Sequence, residues 1–116
     1  MGQTVDEFNA YRERMNDRLM QEDQKIIKRI FNLDTNAYME GHLSVKTKEL
    51  LGLGNSLVLR CDDCVKYHLQ TCFELEVSKE EVMEAMSISL LIGGTIVIPH
   101  LRRAVEFWDA LCGQTS

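Results

Sequence analysis

The chain predicts an all-α fold on three observations. Its punctuation is sparse, with one proline and seven glycines in 116 residues. Apolar residues recur at helical spacing, and no run alternates between hairpin turn signals as half-buried strands do. Two segments open with a hydroxyl side chain followed three residues later by glutamate, Thr4 with Glu7 and Ser78 with Glu81. That spacing lets the side chains satisfy the free N–H groups at a helix start.

Thr4-Val5-Asp6-Glu7 opens a long first helix, residues 4–33, with Phe8, Tyr11, Met15, Leu19, Ile26, Ile30 and Phe31 as apolar positions and a potential break between Gln21 and Gln24. After Gly41 and the loop residue His42, Ser44 caps a second helix carrying Leu50, Leu51, Leu53, Leu57 and Val58. Cys61 and two aspartates begin a third, running to about Leu75. Ser78 to Glu81 starts a fourth, with Val82, Met83, Met86, Ile88, Leu90 and Leu91, and Gly93-Gly94 ends or tightens it. The last covers Ile96 to about Ala110, with Pro99 tolerated in its early turns and Leu101, Val105, Phe107, Trp108 and Leu111 available for packing. The expectation is one domain over residues 1–116, a helical bundle of five to six helices with its motif-bearing core at 43–112.

Composition excludes several function classes. At 45% hydrophobic the chain can bury one core, and its charge of −5 and pI near 5.1 supply no basic footprint for nucleic acid. No apolar run of about 18 residues predicts a membrane span, and no leader is recognisable, so a cytoplasmic location is expected. Val58-Leu59 and the run from Ile88 to Ile98 are apolar on more than one face. A chain this short has little interior to receive them, which predicts a homo-oligomer.

Chemistry concentrates in Cys61-Asp62-Asp63-Cys64-Val65-Lys66-Tyr67-His68. On a helix Cys61, Cys64 and His68 fall within about 60° of one another, with His68 one turn beyond Cys64. Cysteines at i and i+3 can close a disulfide where the first sits at a helix N-terminus, and that N-terminus favours a thiolate. Asp62 and Asp63 oppose the thiolate while suiting the N-terminus themselves. In a reducing compartment such a pair points to redox or metal chemistry. On one continuous helix Cys61 lies about 10 Å from His68 and about 16 Å from Cys72 along the axis, too far for one tetrahedral zinc, so no metal is expected. A two-cysteine half-site completed by another chain stays open.

The flanking segments complete a pattern. Leu43-Ser44-Val45-Lys46-Thr47-Lys48-Glu49-Leu50-Leu51, followed by Cys61-x-x-Cys64-x-x-x-His68, Ser78-Lys79-Glu80-Glu81-Val82 and Gly93-Gly94 leading to Pro99-His100, resembles the carboxymuconolactone decarboxylase-like superfamily, in its alkylhydroperoxidase D (AhpD)-like branch. The resemblance runs from about Leu43 to Ala110 and covers a single copy of the helical unit. It implies a bundle assembled as trimers or hexamers, and a proton relay of Glu49, His68 and Cys64. Cys64 would be the peroxide-reducing thiol, Cys61 the resolving one, with a hydroperoxide as substrate, a dithiol protein as reductant and no cofactor. The superfamily's lactone decarboxylases supply a rival reading, and a non-catalytic module binding metal or a partner protein supplies another.

Other residues have plainer readings. Glu49, judged without the resemblance, is a solvated carboxylate that can pair with Lys46 one turn earlier. Cys72 reads as a small buried hydrophobe and Cys112 as incidental near a frayed end. His100 either lines the pocket from the last helix or packs near Pro99. Tyr67 and Trp108 read as packing groups, and Arg102-Arg103 as a solvated face.

Overall fold

Among the described residues, 4–113 of the computed structural model, every regular element is a helix: six α-helices and one short 3₁₀ turn. They fall into two compact units parted between residues 40 and 41.

The first unit holds α1, Val5–Met20, and α2, Lys25–Ala37. The long helix expected over 4–33 is therefore two helices, divided inside the segment Gln21 to Gln24. The local reason is capping. The Thr4 hydroxyl accepts the Glu7 N–H at 3.0 Å to start α1, and the Gln24 side-chain oxygen accepts from Ile26 N at 2.6 Å to start α2. The polar run Gln21-Glu22-Asp23-Gln24 offers no apolar residue to hold one continuous helix together. No residue of α2 is buried, and Ile26, Ile30 and Leu33 form an exposed apolar stripe at spacings of four and three.

The second unit contains α3, Val45–Val58; α4, Asp62–Glu74; α5, Lys79–Gly93; and α6, Ile98–Gly113, entered through a 3₁₀ turn at Thr95–Val97. Ser44, Cys61 and Ser78 are the N-caps of α3, α4 and α5, and Ser78 and Glu81 complete a reciprocal capping box. Leu53, Leu57, Leu69, Val82, Met86 and Val97 are almost wholly shielded from solvent. Each contributes about 1.5–3 kcal/mol by leaving water. The α3–α5 contact is close at Gly54, whose carbonyl accepts the Ser89 hydroxyl at 2.8 Å.

Two turns set the geometry of α4. Arg60 has φ 61°, Cys61 N donates to Ser56 O and Arg60 N to Leu57 O. This Schellman turn passes from the end of α3 straight to the cap of α4. The turn repeats at the other end, where Glu76 has φ 62°, Val77 N donates to Cys72 O and Glu76 N to Phe73 O. Neither left-handed position is glycine, so nothing in the composition advertises these sharp reversals. At the end of α5 Gly94 adopts φ 83°, ψ −170°, a conformation reserved for glycine.

Candidate active site

Cys61 stands where the first Schellman turn becomes a helix. Its Sγ accepts the Cys64 N–H at 3.3 Å, and the two cysteines are joined as a disulfide with Cα atoms 5.3 Å apart. Cys64 lies in the first turn of α4 on the exposed side, whereas Cys61 is half-buried. The pair thus occupies the positive end of the helix dipole, where the first backbone N–H groups favour a thiolate.

His68 follows one turn later and is buried. Its Nδ1 lies 2.7 Å from Oε1 of Glu49, which reaches it from the first half of α3. Glu49 is only 3% exposed, so the solvated carboxylate paired with Lys46 is not what the fold produces. A carboxylate can only accept, so in this bond Nδ1 is the donor and Glu49 fixes the orientation of the ring. The antiparallel α3–α4 hairpin creates this contact between residues 19 apart.

Three further residues meet at the start of α4. Oδ1 of Asp62 lies 2.8 Å from His100 Nδ1, and Oδ2 accepts from Arg103 Nε at 2.9 Å. Arg103 Nη2 lies 3.1 Å from the same His100 nitrogen. Because Nδ1 donates its hydrogen to the carboxylate, that last approach is a contact rather than a second bond. Burial raises the Asp62 pKa, but the hydrogen bonds and positive charges of His100 and Arg103 outweigh it and hold the carboxyl below the usual range. His100 therefore engages the residue after Cys61. Arg103 is exposed, as the sequence reading of a solvated face expects, and is an ion-pair partner of Asp62 as well. No sequence signal joins Asp62 to residues 38 and 41 positions away.

Cys72 is fully buried on α4, and burial, with the negative charges of Glu49 and Glu81, pushes its thiol up to about 12. It stays protonated and inert at neutral pH. Trp108 packs edge-on against Phe73 with ring centres 5.7 Å apart, and Lys66 lies over Phe107, so α4 and α6 run side by side along their length. Among the described residues no group of three or more His, Cys, Asp or Glu side chains could hold a metal ion, and no helix is long and apolar enough to cross a membrane. A separate apolar groove of about 360 Å³ runs between α3 and α5, lined by Leu50, Leu51, Gly54, Val58, Ile88 and Ile92. It contains none of the cysteines.

Residues 24–107 match the carboxymuconolactone decarboxylase family, and the chain belongs to that family. A solved structure from Thermotoga maritima, a family protein described as having a possible part in an antioxidative response, is 49% identical and superposes with a TM-score of 0.88, covering 93% of this chain and 92% of that one. A family protein from Legionella pneumophila shares the fold at 22% identity and a TM-score of 0.74, over 92% of this chain and 98% of that one. An uncharacterised protein of Cupriavidus necator is 28% identical over 75 residues, 65% of this chain. The match spans 66% of that relative's length.

Proposed function

We propose that the protein is a thiol-dependent peroxidase and disulfide oxidoreductase of the AhpD-like kind, acting in antioxidant defence in the cytoplasm. The observation that carries this reading is the buried Glu49–His68 bond, which fixes an imidazole one turn beyond Cys64 on the cysteine helix. His68 Nε2 takes the Cys64 proton, and Glu49 balances the charge that the ring gains. The Cys64 thiolate attacks the distal oxygen of a hydroperoxide. The O–O bond breaks, Cys64 becomes a sulfenic acid, and the leaving alkoxide or hydroxide recovers the proton as alcohol or water. Cys61 then displaces hydroxide from that sulfur, releasing water and closing the disulfide. A dithiol protein supplies the two electrons that reopen it by exchange. No cofactor takes part, and the working form is a homo-oligomer, a trimer or hexamer, as the exposed apolar helix faces favour.

Single-turnover peroxide consumption by the reduced protein tests the assignment. Wild type should consume one equivalent with loss of two thiols, Cys64→Ser none, and Cys61→Ser should stop at the sulfenic acid. Reduced, folded wild type that leaves peroxide untouched would refute the peroxidase reading. Activity on a carboxylated lactone that survives replacement of both cysteines would move the protein to the decarboxylase class.

A further inference from the structure

The start of α4 carries a device that the peroxide relay does not use. An aspartate directly after Cys61 and two residues before Cys64 should work against the chemistry, since a carboxylate beside a thiol raises its pKa. Here that carboxylate is matched on both oxygens by side chains from α6, His100 at 2.8 Å and Arg103 at 2.9 Å. The pairing is directional. Oδ1 faces an imidazole N–H and Oδ2 the guanidinium Nε–H, so Asp62 holds the first turn of α4 on the first turns of α6 while its charge is cancelled.

We propose that Asp62, His100 and Arg103 form a charge clamp that sets the acidity of the Cys61–Cys64 thiols, with His100 and Arg103 as positioning residues for the thiol chemistry. The clamp rests on the redox reading of the pair but not on peroxide as the substrate. The ionisable groups on the segment that carries the pair are Arg60 before it and Asp62, Asp63, Lys66, Tyr67 and His68 on α4, joined by Glu49 from α3 at His68 and by His100 and Arg103 from α6 at Asp62. His68 is thus paired with α3 and Asp62 with α6, and of these two Asp62 is the one whose own charge opposes the thiolate. Free, it disfavours the thiolate; clamped, it leaves the helix N-terminus to favour it.

A double-mutant cycle on the reduced protein, with thiolate absorbance followed against pH, separates a clamp from independent charges. Arg103→Gln should raise the lowest thiol pKa by about half a unit or more, because it frees the Asp62 carboxylate. Asp62→Asn should lower it or leave it unchanged. In the Asp62→Asn background, Arg103→Gln should then have less than half its original effect. His100→Asn, which keeps a donor near the Nδ1 position, should fall closer to wild type than His100→Ala. Equal shifts from Arg103→Gln in both backgrounds would overturn the clamp, as would no shift in any variant, each variant being checked for a wild-type helical spectrum. The titration needs no peroxide. Coupling found in a protein that ignores peroxide would retain the clamp and reject the peroxidase, and the converse result would reject the clamp alone.

Discussion

Glu49 shows how much one side chain depends on its surroundings. At 3% exposure an uncompensated carboxylate would cost several kcal/mol, and the 2.7 Å bond to His68 provides the compensation. Glu49→Gln keeps an acceptor for Nδ1–H but removes the charge that balances an imidazolium. The rate of Cys64 oxidation by peroxide should fall about tenfold or more, while chemical denaturation shifts little. An unchanged rate in stopped-flow thiol assays would exclude the relay. Asp62 makes a second prediction at this scale. Its folded pKa lies below the ordinary value of 3.8, so its stabilising contribution is complete above that pH and is lost as pH falls through the lower folded value. Thermal melts of wild type should therefore drop more steeply below pH 3.8 than those of Asp62→Asn. Partial exposure limits the difference to about 1 kcal/mol or less.

At the scale of elements, the capping residues were legible and the reversals were not. Ser44, Cys61 and Ser78 cap the helices that the spacing assigned to them, because a side-chain acceptor three residues ahead of a free N–H is a local property. The two left-handed turns at Arg60 and Glu76 carry no glycine, and only the packed hairpins require them. Gly93-Gly94 is the opposite case, a visible signal whose role needed coordinates. A Cβ on Gly93 would sit 2.4 Å from Cγ2 of Val97, a stiff, fully buried side chain, and Gly94 occupies a region closed to other residues. Gly93→Ala and Gly94→Ala should each destabilise the oxidised protein by about 1–3 kcal/mol in urea titrations. A loss under about half a kcal/mol in either would show that the α5–α6 junction relaxes freely.

For the molecule as a whole, the largest unexplained feature is exposed apolar surface. Leu91 is 81% exposed, Ile92 69% and Ile88 57%, and Ile26, Ile30 and Leu33 form a stripe of similar exposure. If these faces are buried by assembly, the protein should sediment as a trimer or hexamer at micromolar concentration. Ile88→Glu with Leu91→Glu should then shift it toward monomer with its helical content retained. A monomeric wild type would remove assembly as the explanation.

The sequence by itself determined the helical class, the placement of the second to fifth expected helices and the thiol pair with its following histidine, whereas the long helix expected over 4–33 is two helices in the fold. What it determined follows from period, capping and i, i+4 spacing, which are properties of a few neighbouring residues. Resemblance, not spacing, pointed to Glu49, and only the α3–α4 hairpin made it a buried partner of His68. The clamp of Asp62 by His100 and Arg103 was decided by tertiary structure alone, because it joins the starts of two helices that pack together although the chain separates them by an entire intervening helix. Interactions between residues so far apart are specified by how helices pack, which local pattern does not encode.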